Sequence, residues 1–268
     1  MNSNKILLSI IFLLSPFIVS AQDNYEIQVY GAETVLAGCT MFELHSNYTI
    51  NGFKDTADGV LPTDKAIHET VEITHGFTPF FEVGFYQFTA INHENGWDYV
   101  GNHLRPRIAA PKDWKWPVGA SLSLEAGYQK PEYCTDSWTL EIRPIIDKTA
   151  GKWYFSLNPA MDYSFKGYSH DQGLVFSPDF KFCYEFVSYL QVGLEYYNSL
   201  GPFSQFFPLN QQPHQLALAF DFNFSPVWEL NIGYVKGLTN YVEHDIFKVI
   251  LGRRIGKEKV KATPSSTP

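Results

Sequence analysis

Between Val118 and Gln129 apolar and polar side chains alternate without a break: Val118, Ala120, Leu122, Leu124, Ala126 and Tyr128 against Gly119, Ser121, Ser123, Glu125, Gly127 and Gln129. Successive side chains of a strand point to opposite faces, so the stretch predicts a long β-strand with one apolar and one polar face. A tilted strand of about ten residues crosses a bilayer when it belongs to a closed barrel.

The alternation recurs along the chain. Phe42, Leu44, Tyr48 and Ile50 stand against Glu43, His45, Asn47 and Thr49; Ile67, Val71 and Ile73 against His68, Thr70, Glu72 and Thr74; Phe81, Val83 and Phe85 against Glu82, Gly84 and Tyr86; and Val100, Leu104 and Ile108 against His103, Arg105 and Arg107. After the first stretch, Trp138, Leu140 and Ile142 oppose Thr139, Glu141 and Arg143, and Trp153, Phe155, Leu157, Met161 and Tyr163 oppose Tyr154, Ser156, Asn158 and Asp162. Then Leu174, Phe176, Phe180, Phe182 and Tyr184 oppose Ser177, Asp179, Lys181, Cys183 and Glu185; Leu190, Val192, Leu194 and Tyr196 oppose Gln191, Gly193, Glu195 and Tyr197. Three last runs pair Leu216 to Phe222 with Asp221 and Asn223, Trp228 to Tyr234 with Glu229 and Asn231, and Phe247 to Leu251 with Lys248 and Arg254. Twelve strands are expected in all, an even number.

Connections alternate too. Those at 75–79, 111–117, 148–152, 186–188 and 225–227 are short, and those at 51–64, 91–98, 130–135, 165–173, 201–213 and 238–243 are mostly longer. Short periplasmic turns alternating with longer external loops are the habit of outer-membrane barrels. The expected fold is therefore all-β, a closed antiparallel up-and-down transmembrane β-barrel of about 12 strands, both termini periplasmic.

Alternation alone leaves open a soluble barrel with an apolar core. Such a barrel with twelve strands encloses more space than side chains fill easily. Trp138, Trp153, Trp228, Tyr128, Tyr163, Tyr184, Tyr196 and Tyr234 stand at strand ends on the apolar side, as two interfacial girdles would. Against the membrane reading, Pro106, Pro144, Pro159 and Pro178 fall inside strands and lack a ladder donor, so bulges are expected to absorb them.

The N-terminus adds export. Lys5, the apolar run Ile6 to Val19 and the small residues Val19-Ser20-Ala21 form a signal peptide over 1–21, too short to be a spanning helix. Residues 22–39 are then expected as an N-terminal periplasmic segment, with Tyr25 to Tyr30 a short strand or a stretch tucked into the barrel; 40–256 are the barrel and 257–268 a disordered tail. Leu36-Ala37-Gly38-Cys39 resembles a lipobox, but the polar Glu26, Gln28 and Glu33 stand where a lipoprotein signal needs its apolar core. Cys39, Cys134 and Cys183 make an odd count, so at least one is unpaired within the chain.

A net charge of −8 argues against nucleic acid as a partner, and aromatics at 16% of the chain suit long strands in a membrane. His68-Glu69-Thr70-Val71-Glu72-Ile73-Thr74-His75-Gly76 with Glu82-Val83-Gly84-Phe85, Leu104-Arg105-Pro106-Arg107, Glu141-Ile142-Arg143-Pro144-Ile145-Ile146-Asp147 and Gly252-Arg253-Arg254 form a set spread from Thr40 to Ile255. On these the chain resembles Gram-negative outer-membrane β-barrel proteins related to the transporters of the phenol meta-degradation pathway. The resemblance implies an outer-membrane location, transport, and as partners the membrane lipid, the barrel-assembly machinery and a small-molecule solute; it transfers no functional residues. Many such barrels end on an aromatic, whereas this chain continues past Ile255 into a polar tail.

The polar face carries the candidate chemistry. Glu43, His45, His68, Glu72, His103, Arg105, Arg107, Glu125, Glu141, Arg143, Asp179, Glu195 and Asp221 are expected in the lumen, with Glu82, Asp162, Glu229, Lys181, Lys248 and Arg254. Buried charge is paired or hydrated, so the lumen is a network of ion-pair struts or a water-filled passage whose acidic excess favours cations and neutral polar solutes. Arg105 and Arg143 are expected to flank Glu125 as a constriction, and Phe203, Phe206 and Phe207 to form an external-loop lid or apolar mouth. His45, His68 and His103 lack the close spacing of a metal set, and neither a phosphate loop nor a nucleophile elbow is present, so no cofactor or metal is expected. A lipid-modifying enzyme stays an alternative, with Ser46 outward but no outward His beside it, as does a structural or adhesion barrel.

Overall fold

The structure is a computed structural model, and it describes residues 24–256. The signal peptide over 1–21 and the tail over 257–268 lie outside the described residues.

Twelve long strands and one two-residue strand make up the fold: β1 Thr40–Asn51, β2 Ile67–Thr78, β3 Phe81–Asn92, β4 Gly96–Ala109, β5 Gly119–Gln129, β6 Asp136–Ala150, β7 Trp153–Gly167, β8 Val175–Val187, β9 Leu190–Asn198, the short β10 Gly201–Pro202, β11 His214–Phe222, β12 Trp228–Gly237 and β13 Asp245–Ile255. Every long strand pairs antiparallel with its neighbours, β1 closes on β13, and β8 joins β9, so the sheet is a closed up-and-down barrel. Closure leaves no sheet edge among the long strands, which is what a lipid environment demands of backbone donors and acceptors.

The faces fall as the alternation predicts. Outward stand Phe42, Leu44, Val71, Phe85, Leu104, Leu122, Leu124, Leu157, Phe180, Leu194, Leu218 and Leu251, each exposed over about two fifths or more of its surface. Inward and buried stand His45, Asn47, Glu72, Glu82, Arg105, Arg143, Asp179, Glu195 and Lys248. An apolar outside and a charged inside are the reverse of a soluble barrel, and set the apolar face against lipid. Trp138 and Trp97 at one rim, and Trp153, Trp228, Trp114 and Trp116 at the other, are all exposed.

Three local expectations change. Val100 is fully buried rather than outward, because Phe88 pairs with Gly101 while Thr89 pairs with Tyr99, and the extra residue between them turns inward as a bulge. The prolines sit in unshifted register rather than at bulges. Pro159 faces Pro178 directly, and the β6–β7 ladder is unpaired between Ile142–Met161 and Ile146–Leu157, the interval that holds Pro144 and Pro159. Gathering residues without a donor at one height confines the missing ladder bonds to one patch. The connection between β3 and β4 is also a tight turn over 93–95, since both strands extend further than their apolar runs.

The largest difference concerns the segment before β1. Of the two expected places for Tyr25 to Tyr30, the structure has the one inside the barrel, and residues 24–35 as a whole run through the lumen. Asn24 accepts from Asn47 Nδ2 at 2.8 Å and Tyr25 O from Thr70 Oγ1 at 2.7 Å, well up the wall. Lower down, Tyr30 N donates to Asn158 Oδ1 at 2.8 Å, Ala32 N to Asp147 Oδ2 at 2.9 Å and Val35 N to Glu82 Oε2 at 2.6 Å. Gly38, at φ 78°, then turns the chain into β1, and its N donates to Gly76 O at 2.7 Å. Backbone groups that a lone extended chain would leave unpaired are thus bonded by lumenal side chains.

Candidate functional site

The lumen is divided by this segment. Above it lies a cavity of about 290 Å³ that opens at the rim carrying the loops and reaches mid-barrel. Asn24, Tyr25 and Glu26 form its floor, and Glu125, Glu141, Asp162, Asp179, Asp136, Asp55 and Glu243 contribute carboxyl groups to its lining, against a single guanidinium, that of Arg143. Tyr133, Tyr163, Tyr241 and Phe53 supply aromatic faces, and His68 and His103 imidazoles.

Below the floor, charges are tied together. Arg105 donates to Glu72 Oε1 at 2.7 Å and lies 3.4 Å from Glu82 Oε1, while Arg107 sits 2.6 Å from the same oxygen and donates to the carbonyls of Gly31 and Glu33. On the opposite wall Lys181 bridges Glu195 at 2.9 Å and Asp221 at 2.8 Å, and Lys248, fully buried, bonds Glu195, Ile27 O and Tyr197 Oη. Most of the expected lumenal charges are therefore struts, each paired where burial would otherwise penalise it.

Arg105 and Arg143 do meet across mid-barrel, but around a different residue from the one expected. Their guanidinium carbons lie 5.0 and 4.8 Å from the ring centroid of Tyr30, a residue of the threaded segment. Aromatic faces attract cations, so two arginines from the strands on either side of β5 hold the segment at its midpoint. Glu125 pairs instead with His103 at 2.7 Å through Oε1, and Arg143 with Glu141. Glu125 Oε2 has no hydrogen-bond partner although the residue is only 6% exposed, and it belongs to the cavity lining. Tyr30 escaped the sequence reading because its short run alternates too briefly to show which surface it meets.

The lid is also a different loop. Phe203 and Phe206 stack on Phe176, an outward residue of β8, with centroids 5.1 and 6.4 Å away, and are about half exposed, so they extend the outer surface. Phe207 packs over Gly201, whose φ of 99° leaves that face clear. None of the three lines the cavity. The rim is covered instead by residues 53–63, folded inward as a small hairpin: Ala57 and Val60 bond each other across Asp58 and Gly59, both at positive φ, and Leu61 N donates to Glu132 O at 2.8 Å. At the same rim Lys130 donates to both oxygens of Asp98, at 2.8 and 3.0 Å, and that bond raises the ammonium pKa above its ordinary value.

Ser46 faces outward, but its hydroxyl donates to Glu69 Oε1 at 2.7 Å, a carboxylate neighbour rather than an imidazole. None of the three cysteines is in a disulfide; Cys39 and Cys183 are buried and Cys134, partly so, donates its thiol to the carbonyls of Lys130 and Asp136.

No protein-family model matches the chain, and no curated protein matches it in sequence. Solved structures do match in fold. An outer membrane channel from Pseudomonas putida F1 superposes with a TM-score of 0.56 at 11% identity, over 86% of this chain and 100% of that one. The KdgM porin in complex with disordered oligogalacturonate gives 0.53 at 7% identity, over 80% and 98%, and the NanC porin 0.53 at 9%, over 81% and 99%. The fold is that of outer-membrane β-barrel channels.

Proposed function

We propose that the protein is an outer-membrane channel for small cationic or neutral polar solutes, held shut at rest by residues 24–35. The observation that carries this reading is the one-sided cavity: its carboxyl-rich lining opens at the loop rim, and its floor is the threaded segment. A wall lined by one sign of charge concentrates the opposite sign, and low-dielectric surroundings strengthen the effect. The outward apolar belt and the aromatic rims support a bilayer location, and the motif resemblance to the phenol-pathway transporters agrees with transport. Tyr133, Tyr163 and Tyr241 offer stacking faces for an amine or a sugar ring.

The test is conductance in planar bilayers. The full chain is expected to show little current. Removal of residues 24–35 should produce stable steps with a cation-to-anion permeability ratio above one, falling toward one when Glu125 and Glu141 are both changed to Gln. A folded truncated barrel that stays closed, or conducts anions preferentially, overturns the proposal, and the first result would favour the structural-barrel alternative.

A further inference from the structure

The channel reading gives no role to Glu43 or His45, which stand with Glu72 on the lumenal face of β1 and β2. Glu43 and Glu72 are direct cross-strand partners, both inward, and His45 follows Glu43 on the same face of β1. Their ligating atoms all lie within 4.8 Å of one another. Two carboxylates placed opposite each other repel unless something positive lies between them.

The hydrogen bonds leave that place open. Glu72 gives only Oε1 to its neighbours: Arg105 donates to it at 2.7 Å and Thr74 at 2.5 Å. Its other oxygen, Oε2, is buried without a hydrogen bond and lies 3.4 Å from His45 Nε2. His45 itself is completely buried; its Nδ1 has no hydrogen-bond partner, and its Nε2 meets only Glu72 Oε2, at the long distance of 3.4 Å. A buried imidazole normally makes at least one short hydrogen bond, and holding Nε2 and Oε2 at 3.4 Å with Nδ1 unpaired is costly. Two ligands bound to one tetrahedral ion at about 2.0–2.1 Å stand about 3.3 Å apart, the spacing His45 Nε2 and Glu72 Oε2 already have.

Arg105 and Thr74 then orient the ligating carboxylate from behind, as groups around a metal-bound carboxylate do. The approach is open as well. Gly252 pairs with Glu43 across β13, and a Cβ there would come within 3.1 Å of Glu43 Cγ, so glycine keeps the flank of that carboxylate clear. Glu43 is only partly buried, so one side of the cluster is reached by solvent.

We infer that Glu43, His45 Nε2 and Glu72 Oε2 bind a single borderline divalent transition-metal ion, with water completing its coordination. Imidazole with two carboxylates suits zinc and its neighbours rather than calcium or magnesium, which prefer more oxygen ligands. None of the three residues lines the cavity, and although Glu72 also bonds the Arg105 that meets Tyr30, ion uptake is read without conductance, so its failure and that of the channel reading are distinguishable.

The experiment uses the untagged full chain refolded in detergent micelles. Zn(II) is titrated against a chromogenic competitor, and Co(II) is used as a visible probe. The expected result is one tight ion per chain, an intense tetrahedral Co(II) d–d spectrum, and no competition from millimolar Ca(II) or Mg(II). E43Q and H45Q should each lower Zn(II) affinity at least tenfold and abolish the Co(II) band, with folding checked by heat-modifiable gel migration. A wild-type barrel that takes up no Zn(II), or one whose binding both folded variants leave unchanged, overturns the inference.

Discussion

Lys248 shows what a buried charge requires in this lumen. Its ammonium is fully enclosed and is met by Glu195, by Tyr197 Oη at 3.3 Å and by the Ile27 carbonyl at 3.0 Å. Breaking such a pair from one side leaves an uncompensated ion, worth about 3–5 kcal/mol, whereas removing both partners together is far milder. E195Q is therefore expected to lower the unfolding free energy obtained from urea titration in vesicles by an amount in that range, and E195Q combined with K248M to recover a large part of it; additive losses would show that the pair is not acting as a unit. Alternation along β9 and β13 already places both side chains inward. It does not disclose that they meet, because β11 and β12 separate their strands in the wall, and the meeting depends on barrel width and on a third chain segment between them. The same holds for Glu125 and the two arginines: their face was legible in the sequence, but Glu125 pairs with His103 and the arginines meet Tyr30, whose place depends on long-range packing.

At the scale of elements, the long strands were the most legible part of the molecule, since ten alternating positions leave little room for another period. Segments of a few residues were the least legible. Tyr25 to Tyr30 alternates only briefly, and the apolar loop 201–213 has no period at all, so nothing local distinguishes an aromatic that covers the mouth from one that rests on the outer wall. The structure separates the two loops by position, and function follows. F203A with F206A is expected to leave the conductance of the barrel lacking 24–35 unchanged, whereas excising residues 54–62, the inward hairpin, should raise it; single-channel recordings that rank the two changes the other way would restore the lid to the aromatic loop. Proline placement was half legible. The strands containing them were right, while their sideways alignment across β6, β7 and β8 depends on register, which a single chain does not reveal.

For the whole molecule, the decisive property is which surface meets lipid. Leu124 lies mid-strand on the outward face of β5, and an arginine at the bilayer midplane of such a barrel costs about 2–4 kcal/mol. L124R should lower stability in vesicles by that order, and Y48R, near the rim, by less than about 1 kcal/mol; equal effects at both depths would argue against a bilayer around this wall.

The covalent link at Gly38 carries one more consequence. A blocking segment joined to the first strand by a turn of a few residues meets its own lumen at an effective concentration on the order of millimolar. The release that the proposed function requires would then be a local, reversible event whose return is unimolecular. A free peptide of the same sequence would compete for the vacated lumen only near that concentration. Under the proposed function the resting state would be set by geometry rather than by the abundance of any soluble inhibitor, so a single barrel in a dilute membrane would be as firmly closed as one in a crowded patch.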